Sequence, residues 1–194
     1  MNDREVSQLI SEFHVPLHVR RHCAAVANFA LDLGQKLLAA GEKIDLTLLR
    51  HAALLHDFVR VVDFREFNPE EFPDPATKED IEVWKILRKK YKGLHHAEAG
   101  ARILEERGHP DIAHLVRKHA FLQIKNGFDS WEEKLLYYAD KRTKHDEVVT
   151  LEERLEDGRR RNAPKTSEED SRELCKKIFE LEKEILDIIG DLRG

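Results

Sequence analysis

Residues 52–60 of this chain read AALLHDFVR, an apolar run that ends in the adjacent pair His56 and Asp57. The alanines and leucines indicate a helix that is buried on several sides, and Asp45 precedes it at a typical N-cap position. We therefore expect a helix from Asp45 to about Phe58. Imidazole nitrogens and carboxylate oxygens suit first-row divalent metals, so the pair predicts metal-ligating groups at the end of this helix.

Side chains of the same two chemical types recur in other helical segments of the chain. His22 lies upstream of the pair, and His96, His119 and Asp140 lie downstream. A single buried histidine in a protein core is usually hydrogen-bonded to a carbonyl group and needs no metal. Burying the whole set without a metal would carry a large desolvation cost, so the set as a whole favours a metal site.

Apolar residues recur at three- and four-residue steps through most of the chain, which predicts an all-α fold. One long helix surrounds His22 and is expected to end at Gly41. Further helices are predicted for residues 78–91, 95–107, 110–119 and 130–140. The proline-rich segment 64–77 is typical of a loop that could cover a site, and residues 123–129 are typical of a second loop. The sequence shows no pair of alternating strands.

Length and composition limit the possible functions. The chain has 194 residues, of which 37% are charged and 41% hydrophobic, as expected for one helix-rich domain. A net charge of -5 gives no general attraction to nucleic acid or to an anionic membrane, so we expect neither as a partner. No apolar run approaches the roughly 20 residues of a membrane span. Cys23 and Cys175 form no Cys-x-x-Cys motif and predict reduced thiols in a cytoplasmic protein.

The C-terminal part of the chain is predicted to be an extension of the main domain. We place the domain at residues 1–155 and the extension at residues 156–194, where a charged linker from Glu156 to Pro164 precedes an amphipathic helix. The apolar residues of this helix alternate steps of four and three, as in a coiled-coil seam: Leu174, Ile178, Leu181, Ile185, Ile188 and Leu192. This stripe either packs on the chain's own domain or pairs two copies in a homodimer.

The ordered set of candidate ligands resembles the signature of the HD-domain metal-dependent phosphohydrolases. That signature is a first His, then His-Asp, then a distant Asp, all on helices of one α-helical domain. His22, His56-Asp57 and Asp140 match it in order, and the resemblance covers about residues 17–146. The two-metal branch of the family adds two histidines before the last Asp, and His96 and His119 resemble these.

Within that branch, the pattern is similar to the bacterial hydrolases that split diadenosine tetraphosphate symmetrically. Those proteins also have His-x-x-x-Gly-Ala, which here begins at His96, and then a His before an Ala-Asp segment. Their second added His is usually followed by Thr and a Gly-bearing turn, whereas Ala120, Phe121 and Leu122 follow His119 here. This departure leaves the identity of the substrate open.

The resemblance implies a single HD-domain helical bundle that binds two divalent metal ions through the six residues, with iron expected first and manganese second. Asp57 would bridge the two cations, which would activate a water to attack phosphorus in a small phosphorylated or nucleotide substrate. Arg60, one helical turn after His56, is expected to hold a phosphate by its planar fork. Lys118 and Arg142 are further candidates for substrate binding, although such cations more commonly face water.

Several alternatives remain open at this level. His18 lies one helical turn before His22 and could replace it as a ligand, and His95 competes in the same way with His96. Some HD-domain proteins with the fuller ligand set are di-iron oxygenases. A third alternative is a non-catalytic, metal-binding regulatory module that uses the C-terminal helix to hold a partner.

Overall fold

The long helix that contains His22 shows how closely local sequence signals determine where an element ends. A computed structural model gives the positions of residues 1–161 and 168–190. Helix α2 spans Leu17–Ala39 and ends as predicted at Gly41, which has a φ of +99°. In that conformation the N–H groups of Gly41 and Glu42 donate to carbonyl oxygens of the last helical turn, so the free helix end is satisfied.

Within the described residues the other elements follow in chain order. The helices are α1 (Asp3–Glu12), α3 (Leu46–Leu55), α4 (Lys78–Lys90), α5 (His96–Glu106), α6 (Pro110–Lys118), α7 (Trp131–Arg142), α8 (Leu151–Arg161) and α9 (Glu168–Ile189). Short 3-10 helices lie at Arg60–Asp63, Pro69–Glu71 and Phe121–Asn126. The predicted all-α fold is confirmed, and among the described helices none combines the length and apolar character needed to cross a membrane.

One small element contradicts the sequence-based expectation. Strands β1 (Thr143–Lys144) and β2 (Glu147–Val148) pair antiparallel, with Thr143 opposite Val148. The expectation that no strands pair was therefore wrong at this hairpin. Two residues per strand are too few to produce a visible alternation of apolar and polar side chains.

Capping side chains set the beginnings of the helices that carry the site. Oδ1 of Asp45 accepts hydrogen bonds from the N–H groups of Thr47 and Leu48, both at 2.9 Å, so α3 begins where the sequence predicts. Ser130 caps α7 in the same way, with its Oγ 3.2 Å from the N–H nitrogen of Glu133. Helix α2 packs against α3 and α7, α5 packs against α6, and α3 contacts both α6 and α7.

Gly100 allows α5 to approach the turn that follows α3. A Cβ atom at this position would lie 3.0 Å from Cε1 of Phe58 and 3.4 Å from Cγ2 of Val59. His96 lies one helical turn before Gly100, so the close packing brings its imidazole toward the end of α3. The glycine of the His-x-x-x-Gly-Ala pattern therefore has a steric role in this structure.

The predicted charged linker is partly helical. Helix α8 continues to Arg161, so the first six residues of the predicted charged linker are helical. Leu151 and Leu155 are 1% and 7% exposed and give α8 a buried side, which outweighs the cost of Gly158 within the helix. The rest of the predicted linker, residues 162–167, lies outside the described part of the chain. The domain boundary at residue 155 stays a prediction.

The described part of the apolar stripe, from Leu174 to Ile188, packs on the chain's own domain, and Leu192 lies outside the described residues. Leu174, Ile178 and Ile185 are fully buried and Leu181 is 5% exposed, whereas Ile188 near the helix end is 36% exposed. Helix α9 contacts α2, α7 and the 3-10 helix Phe121–Asn126. A dimer that used this stripe would first have to displace it from the domain, and the homodimer stays a prediction.

Truncation of Ile178 tests this packing. We expect Ile178→Ala to lower the free energy of unfolding by about 2–5 kcal/mol, because it leaves a cavity under α9. The exposed Lys176→Ala on the same helix is the matched control and should change it by about 0.5 kcal/mol or less. Urea denaturation at two protein concentrations measures the free energy of unfolding of both variants and of the wild type. A wild-type midpoint that rises with protein concentration would instead favour pairing of two copies.

Candidate metal centre

The two central residues of the site lie where α3 ends. The helix stops at Leu55, so His56 occupies the C-cap position and Asp57 lies in the turn that follows. Phe58 and Val59 are each 1% exposed and anchor this turn in the core. The predicted helix to about Phe58 is thus about one turn too long. Because the helix ends early, the adjacent side chains of His56 and Asp57 can point into different parts of the site.

His22, His56 and Asp140 form the first group of candidate ligands, which we call the first triad. Their ligand atoms all lie within 4.8 Å of one another. Nε2 of His22 is 3.2 Å from Oδ1 of Asp140, and Nε2 of His56 is 3.8 Å from the same oxygen. Helix α2, the end of α3 and helix α7 each contribute one member, so segments distant in sequence meet here.

Asp57, His96 and His119 form the second triad, within the same distance limit. Oδ1 of Asp57 lies 2.9 Å from Nε2 of His96 and 3.5 Å from Nε2 of His119. The two Nε2 atoms are 3.1 Å apart. His96 is the first residue of α5, and His119 is the C-cap of α6.

The two triads adjoin each other at the end of α3. The other carboxylate oxygen of Asp57, Oδ2, is 4.0 Å from Nε2 of His56 in the first triad. The imidazole rings of His56 and His119 have their centroids 4.9 Å apart. Asp57 therefore directs one oxygen into the second triad and the other toward the first, as a residue shared by two cations would.

Three of the four imidazoles are oriented by main-chain carbonyl groups. Nδ1 of His22, His56 and His119 bonds the carbonyl oxygens of His145, Ala53 and Val116 at 2.6, 2.7 and 2.5 Å, respectively. A carbonyl oxygen can only accept, so each Nδ1 carries the proton and each Nε2 of the neutral ring directs a lone pair into the site. Metal-ligating histidines are typically held in this way.

The central polar atoms lack protein partners, which is the direct test of whether a metal fits. Nε2 of His56 and Oδ1 of Asp57 are buried without a hydrogen bond to any described residue. The 2.9 Å contact of Oδ1 with His96 does not have the angles of a hydrogen bond. Lone pairs at this separation repel unless a positive charge lies among them. The arrangement of four imidazoles and two carboxylates therefore fits divalent cations.

Burial keeps two of the imidazoles neutral, and nearby positive charge keeps both carboxylates ionised. Burial lowers the pKa of His56 to about 4 and also lowers the pKa of His119. Burial alone would raise the pKa of Asp57 and Asp140. Positive charge nearby, from imidazoles at Asp57 and from Lys141 at Asp140, holds both pKa values well below the usual range. These are the protonation states in which both residue types bind metals.

His22 and His96 respond differently because each contacts a carboxylate directly. Burial lowers their pKa values, but the negative charges of Asp140 and Asp57 act against it. The hydrogen bonds of His22 with Asp140 and of His96 with Asp63 act in the same direction, and the net shift of both pKa values is upward. A ring of this kind exchanges a proton for a metal ion when the ion binds.

The structure also places the two competing histidines. His18 stacks near Phe64 and meets Phe72 edge-on, with ring centroids 6.4 and 5.2 Å away, and belongs to neither triad. His95 is the N-cap of α5, where its Nδ1 accepts from the N–H of Ala97 at 3.2 Å. The side chains that converge are therefore those of His22 and His96, as the sequence favoured.

Of the three candidate substrate-binding residues, only Arg60 has a described contact with a member of the two triads. Its Nε is 3.7 Å from Oδ2 of Asp57, and its Nη1 is 3.2 Å from Nδ1 of His96. The Arg60 side chain is 32% exposed, so part of the guanidinium remains accessible to a ligand.

Lys118 and Arg142 are engaged elsewhere. Nζ of Lys118 lies 3.4 Å from Oε2 of the buried Glu133, and it donates to the carbonyl of Gly127 at 3.3 Å. Nη1 of Arg142 is 2.9 Å from Oε1 of Glu182 and links α7 to α9. None of the described contacts joins either cation to the two triads, and their role in substrate binding stays a prediction.

Two residues of the centre were missed by the sequence analysis. Asp63, in the 3-10 helix after the His-Asp turn, lies 2.9 Å from Nδ1 of His96 through its Oδ2. Lys141 is 8% exposed and bonds Oδ2 of Asp140, the oxygen that faces away from His22. Lys141 could have been suspected as a cation next to a candidate ligand. Asp63 lies at the end of a short 3-10 helix, and the sequence pattern does not predict the path of the chain there.

Comparison with known proteins places this architecture in a family. The family model described as the HD domain matches residues 19–156, about 70% of the chain, and this region includes both triads. No curated protein and no solved structure matches the chain. HD domains are typically metal-dependent hydrolases, which agrees with a donor set that fits divalent metals. The chain belongs to the HD-domain family.

Proposed function

We propose that this protein is a metal-dependent phosphohydrolase that cleaves a phosphoester or phosphoanhydride bond of a small, nucleotide-like substrate. The observation that carries the proposal is the convergence of four imidazole Nε2 atoms and two carboxylates in adjoining triads, with the central acceptors unpaired. Non-catalytic burial of such groups would leave their desolvation uncompensated.

The first triad would hold one cation and the second triad the other, with Asp57 shared between them. Bound divalent cations supply a nucleophilic water near neutral pH and neutralise phosphate oxygens as charge develops on them. The protein fixes the ligands beforehand, because carbonyl oxygens hold three imidazoles by Nδ1. Imidazole and carboxylate together suit iron and manganese, and we propose these metals, with iron first.

Arg60 is the residue we propose to bind the substrate phosphate. Its guanidinium lies beside Asp57 and His96, at the edge of the second triad, and remains partly exposed. An arginine offers a planar pair of donors that matches two phosphate oxygens. A phosphate bound beside Asp57 would come within reach of this side chain, so Arg60 would hold and orient it.

The substrate class is supported by pattern rather than by a bound ligand. The order of the six ligands and the His-x-x-x-Gly-Ala pattern at His96 resemble the bacterial symmetric diadenosine tetraphosphate hydrolases, so dinucleoside polyphosphates are the first compounds to test. We also propose a cytoplasmic location, which free thiols at Cys23 and Cys175 support.

Metal content of the purified protein is the first test of the centre. Protein isolated without added metal or chelator should contain about two metal ions per chain by elemental mass spectrometry. The Asp57→Asn variant should lose most of both metal ions, because the shared carboxylate is replaced by a neutral amide. Asp32→Asn, on the exposed side of α2, is the matched control and should retain them. A wild type with one metal or none, or an Asp57→Asn variant that retains its metals, would contradict the shared site.

Phosphate release tests the reaction itself. A panel of nucleotides and dinucleoside polyphosphates should include a substrate that the metal-loaded protein hydrolyses and the Asp57→Asn variant does not. Arg60→Gln should lower kcat/KM for this substrate about 10- to 100-fold, because a charged hydrogen bond to phosphate contributes about 1.5–3 kcal/mol. Arg60→Lys should recover part of the loss. Oxygen consumption under reducing conditions without phosphate release would favour a di-iron oxygenase instead.

A further inference from the structure

His96 differs from the other three imidazoles of the centre in what orients it. Its Nδ1 lies 3.0 and 2.9 Å from the two carboxylate oxygens of Asp63, whereas the other Nδ1 atoms bond main-chain carbonyls. The backbone N–H of His96 also donates to Oδ2 of Asp63, at 3.1 Å. One carboxylate thus holds both the ring and the main chain of this residue.

The position of Asp63 is itself fixed by buried neighbours. Val61 and Val62, which precede it in the 3-10 helix, are 1% and 6% exposed. From α4, Arg88 donates to the carbonyl oxygens of Val61 and Phe64, on either side of Asp63, at 2.5 and 3.1 Å. The carboxylate is therefore presented to His96 by a segment with little freedom to move.

We infer that Asp63 is a positioning residue, which orients His96 for metal binding and selectively strengthens the second triad. The inference rests on the proposed metal binding. An ionised carboxylate accepts the Nδ1 proton more strongly than a carbonyl does, so it keeps the Nε2 lone pair directed at Asp57 and His119 and makes that nitrogen a better donor. Asp63 acts on the second triad through this one ring, because Arg60 bonds its Oδ1 and offsets its charge.

Direct ligation by Asp63 is the competing assignment. Asp63, His95 and His96 do place ligand atoms within 4.8 Å of one another. However, Nη1 of Arg60 bonds Oδ1 of Asp63, so a cation placed there would meet a guanidinium. Nε2 of His95 is also 3.9 Å from Oδ2 of Asp63, and half of the His95 side chain is exposed. The contacts favour Asp63 as a partner of His96 over Asp63 as a ligand.

The test separates the two triads by removing one at a time. Metal-depleted protein is titrated with Mn²⁺ by calorimetry in a His22→Ala background, where only the second triad is complete, and in a His119→Ala background, where only the first is. We expect Asp63→Asn to weaken Mn²⁺ binding about 10- to 100-fold in the first background and to leave it unchanged in the second. The control is Asp74→Asn, which removes a carboxylate paired with Arg21. It should leave the Mn²⁺ affinity unchanged in both backgrounds.

A spectroscopic signature provides an independent reading in the full chain. In Zn²⁺-loaded protein, one imidazole Nδ1–H proton should resonate downfield of the other three, because it alone is bonded to a carboxylate. Asp63→Asn should move this signal and no other, whereas Asp74→Asn should move none.

The outcomes distinguish this inference from the proposed function. If the wild type binds no Mn²⁺ or Zn²⁺, both the metal centre and the role of Asp63 are overturned. If the wild type binds two ions but Asp63→Asn weakens Mn²⁺ binding equally in both backgrounds, or in neither, only the role of Asp63 is overturned. A third ion per chain that Asp63→Asn alone removes would identify Asp63 as a ligand and overturn its assignment as a positioning residue.

Discussion

The constraint on which the structure depends is the burial of ionisable groups where five helices meet. Imidazoles and carboxylates removed from water must recover their lost hydration, or folding becomes unfavourable. Here each Nδ1 recovers it from a carbonyl or a carboxylate, while Nε2 of His56 and Oδ1 of Asp57 have no hydrogen-bond partner among the described residues. The interior thus satisfies the outer side of every ring and leaves the inner side for a cation.

Helix ends supply much of this arrangement. His56 and His119 both occupy C-cap positions, and each bonds the carbonyl oxygen three residues earlier in its own helix. Carbonyls in the last turn of a helix have no partner within the helix, so the same contact caps the helix and orients the ring. The negative end of the helix dipole also faces the centre at these two positions, which favours bound cations.

The amount that could be predicted from sequence differs between local and long-range features. Apolar periodicity and caps such as Asp45 and Ser130 are local, and they predicted most helices to within about one turn. The six candidate ligands could be selected by residue type and order, and the structure brings their side chains together. Asp63 could not be selected, because its role depends on how the chain after α3 returns to the start of α5. The second half of α8 was assigned to the linker because residues 156–161 are charged apart from Gly158, and the buried leucines of this helix lie before them.

The turn between β1 and β2 has a consequence for natural variation. The carbonyl oxygen of His145 anchors His22 at 2.6 Å, and His145 has a φ of +55°. This backbone conformation is uncommon for residues with a side chain and is tolerated best by Gly, Asn and Asp. The anchor is a main-chain atom, so evolution is expected to preserve the shape of the turn while the side chain at position 145 drifts among such residues. Part of the centre would then be inherited without leaving a recognisable motif.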